Sequence, residues 1–592
     1  MAVLLYFNCI KFIMLRRVVG MNKITAILLV VSLIVTAFVV PASAGWSIVD
    51  TTFAVASDLH YELQEDELEW FSEDPIFGYA NRRAAMENES RYIVDEFLRQ
   101  CAEDDKIEFV LIPGDISNEG RAVKEQHLEI VEKFKKFEEE TGKQIYVING
   151  NHDAGKGENE GETSLEEFRE IYFEFGFSEA LSTMEGNLSY TADLNEKYRL
   201  IASDSCDINR STGDGMTDDR VQWVVDEAEK AYADGKYPIL MMHHNILDHM
   251  PIQGLLSKDF IIRNNISTAE KFANAGIKMA FTGHEHCSDA NTYTSSKGNQ
   301  ITDFATTALT MYPLQYRIVE VSDEVINYDI ATIEKIEAEN LLTDVKGYTP
   351  EHITEMNKGM NAYAKQFLKN GVEWRLERGF QDEQLGIDKG AFYYDIVRKA
   401  VDGLNDILNT PYRGEGGVIE QAKAKGIYIP ESNYVDGWDV ATELVAAHYA
   451  GEEDYPLMER DVTILLRTMC LILDTELAMI TEEELMSAAV AITALYGSTP
   501  PEDLAESLKL DLGISHGAQC FLLAIATPLL DCFANDDEVA DNTGSIKGYI
   551  RSGSADSFIN ITQSMQVTLD EIYKNIMMII EFVFRGIGYI KG

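Results

Sequence analysis

The chain has 592 residues, with 50 Lys and Arg against 99 Asp and Glu, a formal net charge of −49, and 46% hydrophobic residues. A surface this acidic repels polyanions, so no long nucleic acid is expected as a partner and a nuclease ranks low among the functions to consider. The acidity itself serves solubility.

At the N-terminus, residues 24–40 form an apolar run interrupted only by Thr and Ser, preceded by Lys23 and followed by Pro41-Ala42-Ser43-Ala44. A basic residue, an apolar stretch and an Ala-x-Ala site are the parts of a secretory signal peptide. Met21 is its natural start, and residues 1–20 read as an upstream extension or a misplaced start codon. Residues 1–44 are therefore expected to be an extension plus signal on a secreted or extracytoplasmic, envelope-associated protein. Removing them deletes Lys11, Arg16, Arg17 and Lys23 and no acidic residue, which takes the charge from −49 to −53. The absence of Cys at the cleavage point argues against a lipid anchor. The run approaches spanning length, so an uncleaved signal is the one membrane contact expected.

Five short apolar strands follow, each ending in a polar block. Residues 53–56 run into Ser57-Asp58-Leu59-His60, residues 109–112 into Pro113-Gly114-Asp115, and residues 145–148 into Gly150-Asn151-His152-Asp153. Residues 239–242 run into His243-His244, and residues 277–281 into Gly283-His284-Glu285-His286. In open α/β sheets ligands bind beyond the carboxyl ends of the strands, so these tips are predicted to meet, with glycines at 114, 150 and 283 allowing tight turns. A single Asp-x-His or Gly-Asp after a strand is commonly a turn or a cap. The conjunction is different, because six of the eleven histidines fall in these blocks, each at a strand end. Carboxylate, amide oxygen and imidazole suit borderline metals, and a pair of ions requires several protein ligands with one carboxylate shared. Asp58, His60, Asp115, Asn151, His243, His284 and His286 supply such a set.

The order Asp-x-His, Gly-Asp, Gly-Asn-His-Asp, His, Gly-His-x-His resembles the calcineurin-like metallophosphoesterase superfamily over about residues 50–335. That superfamily includes purple acid phosphatases, cyclic-nucleotide phosphodiesterases and acid sphingomyelinase-like enzymes, and the motifs are specific to it without resolving a branch. The resemblance implies that Asp58, His60, Asp115 and His286 hold one ion, that Asp115, Asn151, His243 and His284 hold the other, and that Asp115 is the bridge. The ions are expected to be Mn, Fe, Zn or Co. It implies a metal-dependent phosphoric ester hydrolase acting on small phosphomonoesters or phosphodiesters, with in-line attack at phosphorus by hydroxide formed on the ions. His152 is the implied general acid or electrostatic stabiliser, with Asp153 as its partner or as a cap. Asn118 stands where some relatives carry a carboxylate that orients the acid histidine. His60 fits phosphodiesterase-like and phosphatase branches better than purple acid phosphatases. His243 follows its strand directly and is the ligand; His244 then packs behind the ligands or touches substrate.

Residues 61–80 are acidic and aromatic, with Tyr61, Trp70, Phe71, Phe77 and Tyr79, and are expected to rim the site, either stacking on substrate or folding the loop down. Asn81-Arg82-Arg83 opens the next helix, either touching phosphate or solvated. Helical patterns fall near 82–103, 121–141, 164–175 and 217–233. Further strands fall within 188–205, split at 195–197, and at 301–306, 316–321 and 325–333. Together they predict an α/β fold, a four-layer α/β/β/α metallophosphoesterase sandwich over residues 45–335.

From residue 336 apolar residues recur at helical spacing in 351–370, 388–408, 438–450, 456–480, 482–495, 515–533 and 555–587, predicting an all-α C-terminal domain of unknown role over 336–592 that packs against the first. Residues 576–584 are very apolar but too short to span a bilayer and read as a buried closing helix. Cys101, Cys206, Cys287, Cys470, Cys520 and Cys532 lack metal-type spacing. Secretion permits disulfides, and Cys520 with Cys532 is the closest pair, but their apolar helical setting favours buried thiols. The alternative to an enzyme is a catalytically weak, envelope-facing binding protein that works through the helical domain; the intact ligand set favours the enzyme.

Overall fold

A computed structural model describes residues 50–63, 84–210, 212–250, 253, 259–379, 394–453, 455–475, 481–483, 485–487, 489–490, 514–524 and 540–549. The expected signal, the rim residues Trp70, Phe71, Phe77 and Tyr79, the helix-opening Asn81, Arg82 and Arg83, Cys532 and the apolar 555–587 stretch lie outside the described residues.

Two βαβαβ runs build the first part of the described chain. The first comprises β1 (Thr51–Val55), α1 (Ser90–Glu103), β2 (Phe109–Ile112), α2 (Lys124–Thr141) and β3 (Gln144–Val147). A short helix α3 (Leu165–Ile171), started by a reciprocal Ser164–Glu167 capping box, leads to β4 (Ser182–Thr183) and β5 (Tyr190–Asp193). The second run comprises β6 (Tyr198–Ser203), α4 (Asp218–Ala233), β7 (Tyr237–Met242), α5 (Asn265–Ala275) and β8 (Met279–Thr282). It closes on β9 (Asp289–Thr294), β10 (Gln300–Ala305), β11 (Gln315–Val321) and β12 (Val325–Thr332). Every residue of β1, β2, β6 and β8 is buried, which is why these strands show no polar–apolar alternation.

One sheet has the order β12-β11-β1-β2-β3, the other β4-β5-β6-β7-β8-β10-β9. β1, β2 and β3 are parallel, and so are β6, β7, β8 and β10. Alternate side chains go to opposite faces. Leu200, Ile239, Met241 and Phe281 join the core shared with Phe53 of β1, whereas Ile201, Leu240, Met242 and Ala280 pack with Val221, Val224 and Phe272 of α4 and α5. The Phe53 and Phe281 rings meet edge to face at 5.5 Å, so the sheets stack on each other with helices outside, the expected four layers. The parallel strands bring the carboxyl ends of β1, β2, β3, β7 and β8 to one rim.

Three departures stand out, and the two missed elements share a cause. The helix expected from residue 82 begins at Ser90, after a turn, among the described residues. α5 and β9 were absent from the expected elements: α5 buries only Thr268, Ala269, Phe272 and Ala273, and β9 reads Asp-Ala-Asn-Thr-Tyr-Thr at a sheet edge. Small or edge elements bury little apolar surface and leave little periodic signal.

After residue 336 come α6 (Pro350–Lys358), α7 (Met360–Gly379), α8 (Tyr394–Leu408), α9 (Val418–Ala424), α10 (Gly437–Tyr449) and α11 (Tyr455–Thr475). α7 sends Tyr363, Ala364, Phe367 and Leu368 into the same core as β1 and β11. α8, α9, α10 and α11 build a second core around Tyr412, Val440, Leu444, Val462 and Leu466. Among the described residues one element breaks the all-helical expectation: β13 (Gly544–Lys547) pairs antiparallel with β12 and extends the first sheet to six strands. Cys101, Cys206, Cys287 and Cys470 are buried free thiols, and Cys520 is buried. No helix among the described residues is long and apolar enough to cross a membrane.

Candidate metal centre

The loops beyond the five strand ends are stitched to one another by backbone. Asp58 N donates to Gly114 O at 3.1 Å, His60 N to Asp115 O at 3.0 Å and Gly283 N to His243 O at 3.0 Å. Five of the seven expected ligands, Asp58, His60, Asp115, His284 and His286, have φ between 39° and 68°. Non-glycine residues there are strained, and such strain persists where surrounding structure imposes it, typically at functional sites. The glycines act more by absence of a side chain than by turning. A Cβ on Gly150 would lie 2.1 Å from Asp115 Oδ1, and one on Gly283 would lie 2.1 Å from Asp58 Oδ2; only Gly114, at φ 104°, also has the left-handed turn that the sequence suggested for all three.

The side chains form two groups that share Asp115. In the first, donor atoms of Asp58, His60, Asp115 and His286 lie within 4.8 Å of one another, with His286 Nε2 3.2 Å from Asp58 Oδ1 and 3.1 Å from His60 Nε2. In the second, Asp115 joins His243 and His284. His243 Nε2 stands 3.4 Å from Asp115 Oδ2, 3.2 Å from His284 Nδ1 and 3.0 Å from Asn151 Oδ1. The ring of His243 donates Nδ1–H to Pro113 O at 3.0 Å, which leaves the Nε2 lone pair facing the other acceptors. Lone pairs gathered this closely repel unless a cation or proton lies among them. The donor set therefore fits a pair of metal ions, one for each group.

Neighbours hold the ligands in place. Asp58 Oδ2 accepts from Ser57 Oγ at 2.6 Å and from His284 N at 3.0 Å, and Phe260 stacks on the His284 ring at 4.2 Å. Asp115 Oδ1 accepts from His152 N at 2.9 Å. Burial alone would raise Asp115, but the imidazoles of His243, His152 and His60 hold it well below the usual carboxylate range. Burial works against charge on His243, yet the adjoining Asp115 outweighs it and carries the ring to about 9 without metal. Burial and the neighbouring rings of His244 and His243 push His284 down.

The remaining expected site residues divide. His152 is 24% exposed at the mouth, where His286 is 16% exposed; the other expected ligands are buried. His152 Nε2 is 3.9 Å from Asp115 Oδ2, and its Nδ1 lies 2.7 Å from the carbonyl of Asn118. Asn118 thus orients the histidine through its backbone carbonyl, while its side-chain amide donates to Glu62 Oε2 at 2.7 Å. Of the two expected roles for Asp153, the structure gives the cap and not the partnership with His152. Its carboxylate accepts from Gly150 N at 2.7 Å, Ile116 N at 3.2 Å, Ser117 N at 3.0 Å and Ser117 Oγ at 3.0 Å, and so pins the second block to the third. His244 is fully buried, bonded to Ser205 Oγ at 2.9 Å and packed 4.5 Å from the His284 ring, so it lies behind the ligands. Burial, reinforced by His243, pushes it down to about 3.

Beside His152 opens a cavity of about 510 Å³, lined by Asn151, His152, Arg121, Lys156, Glu158 and Asn209 among others. Sequence reasoning missed Phe260, Glu62, Ser205 and the carbonyls of Pro113 and Asn118. Of these only Ser205, next to a strand end, carried any local signal.

The profile of the calcineurin-like phosphoesterase family matches residues 51–288, the segment that contains all five strand ends and their blocks. Residues 51–288 are a calcineurin-like phosphoesterase domain. Solved structures similar to the chain include a dimetal phosphatase from Danio rerio, at 11% identity over 48% of this chain and 96% of that one with a TM-score of 0.33. A purple acid phosphatase from yellow lupin (Lupinus luteus) seeds is similar at 10% identity over 48% of this chain and 51% of that one, with a TM-score of 0.31. No curated protein matches the sequence. The phosphoesterase domain, with its clustered Asp and His side chains, is that of a metal-dependent phosphoric ester hydrolase with a dinuclear metal site.

Proposed function

We propose that the protein is a secreted phosphoesterase that hydrolyses small phosphomonoesters or phosphodiesters. Asp58, His60, Asp115 and His286 hold one ion, and Asp115, Asn151, His243 and His284 the other, the metals being drawn from Mn, Fe, Zn and Co. The observation that carries this reading is the convergence of carboxylate and imidazole donor atoms in two groups sharing one carboxylate. When bound, two such ions lower the pKa of water and offset charge that develops on phosphoryl oxygens.

The chain's own residues do the rest. The Nδ1–H of His152, held by Asn118 O, sets the ring with Nε2 3.9 Å from Asp115 Oδ2; in the imidazolium form Nε2 carries the proton that a departing alkoxide takes up. Asp115 spans both groups and is fixed by the backbone N–H of His152, so the acid and the bridge move as one unit. The leaving group extends from His152 into the adjoining cavity, whose size suits a small substrate. Export is supported by residues 24–44 and fits the strongly acidic composition.

The test is hydrolysis of p-nitrophenyl phosphate and bis-p-nitrophenyl phosphate by protein reconstituted with Mn²⁺ or Zn²⁺, beside Asp115→Asn. Turnover by the wild type and its loss in the variant is the expected result, and the preferred ester separates phosphatase from phosphodiesterase. Two bound ions with no turnover of either ester would overturn the enzymatic reading. Export predicts a mature N-terminus at Gly45 in the native host.

A further inference from the structure

The strand-end loop that carries His284 and His286 is held from both sides, and the two sides differ in origin. Before His284 the hold is internal to the phosphoesterase domain: Gly283 N donates to His243 O, and His284 N to Asp58. After His286 it comes from the helical region. Ser288 N donates to Tyr449 O, the last residue of α10, at 3.1 Å, and Ser288 Oγ donates to Asn542 Oδ1 at 2.7 Å. Ala290 N donates to Asp541 Oδ1 at 3.2 Å. Asn542 Nδ2 donates in turn to Ala450 O at 2.8 Å and to Gly451 O at 3.3 Å, so it ties α10 and the β13 approach to the same serine. Arg317, fully buried, bonds Asp541 O, Asp289 O and Ser288 Oγ together. The fit is close: a Cβ on Gly451 would lie 2.4 Å from Ser288 O. The family match ends at residue 288, where this hold begins.

His284 and His286 sit at φ 68° and 65°, conformations that relax unless neighbouring structure fixes them. We propose that the helical region is a clamp for the catalytic centre, with Asn542 the positioning residue that, through Ser288, fixes His286 and the ion held with Asp58, His60 and Asp115. This rests on the ligand assignment proposed above. It gives the helical region a task in the chemistry without any contact with substrate, and it accounts for the return of the chain to the first sheet as β13.

The test is metal binding, read apart from turnover. Apo full-length protein is titrated with Co²⁺, following visible absorption and stoichiometry, for wild type, Asn542→Ala, Ser288→Ala, the double variant and Thr543→Ala. Thr543 lies next in the chain and bonds Asp329 Oδ1 at 2.7 Å on the exposed side, so its variant reports general loosening of the β13 approach. The wild type should bind two equivalents. In Asn542→Ala one ion should stay tight and the other weaken by about tenfold or more, the usual scale for losing a group that orients a ligand. Ser288→Ala should match it, and the double variant should be no worse than either single, while Thr543→Ala binds as wild type. Should Asn542→Ala not fold, Ser288→Ala, which deletes one hydroxyl, decides alone. Unchanged affinity for both ions in Asn542→Ala and Ser288→Ala refutes the clamp, as does equal weakening of both ions matched by Thr543→Ala. A wild type that binds no pair of ions refutes the ligand assignment instead.

Discussion

Replacing Asp153 with Asn separates its two candidate roles, because the amide keeps the shape and removes the charge together with half of the accepting capacity. In the native fold Oδ2 accepts from Gly150 N and Ile116 N, and Oδ1 from Ser117 N and Ser117 Oγ. The better amide orientation keeps oxygen toward Gly150 and Ile116 and turns NH₂ toward Ser117, whose hydroxyl can reverse but whose N–H cannot. One buried N–H is orphaned and two bonds lose their ionic acceptor, a total of about 2–4 kcal/mol. For a domain of this size that is a fall of roughly 5–10 °C in Tm. Because the clip joins the blocks of Asp115 and Asn151, displacement of the order of 1 Å would also cost roughly 10²-fold in kcat/KM. The assay is thermal melting with and without Mn²⁺, with p-nitrophenyl phosphate hydrolysis across pH. A variant with wild-type Tm, whose activity loss is confined to a displaced acidic or basic limb of the pH profile, would refute the clip and restore Asp153 as a partner of His152.

Replacing His152 with Asn should lower turnover of alkyl phosphates by about 10²–10⁴-fold and that of p-nitrophenyl phosphate much less, since nitrophenolate departs without a proton; equal losses on both would remove the acid role. In metal-free protein Asp115 holds His243 at about 9, so protons compete with metal below that value, and the apparent metal affinity should rise up to about tenfold per pH unit from 7 to 9; a flat profile measured by competition with a chelator contradicts this. Glu89 is buried beneath Tyr348, whose hydroxyl donates to it at 2.7 Å, and burial raises its carboxyl to about 7. A raised folded value means its contribution is fully present below about 4.5 and is lost as pH rises through 7, a swing of about 3 kcal/mol. Glu89→Gln should therefore melt progressively above the wild type between pH 5 and pH 8, and a constant difference in Tm would show that Glu89 is not the titrating group.

The chemistry of the centre was legible in the sequence because it is encoded locally. A buried parallel strand announces itself as an apolar run, and the residue types at its carboxyl end declare which atoms are offered there, so Asp58, Asp115, Asn151, His243 and His284 could be named before their meeting was visible. What the sequence left open was how those side chains are held. His243 and His152 are oriented by the carbonyls of Pro113 and Asn118, and a carbonyl oxygen has no letter of its own. Asp153 had two readings until its carboxylate was seen among three backbone N–H groups. α5, β9 and β13 bury too little apolar surface to impose a period, and the contact between Ser288 and Asn542 spans 254 residues of chain. Local pattern specifies which atoms are available, whereas their orientation and restraint arise from backbone groups and distant segments that meet only when the whole chain folds.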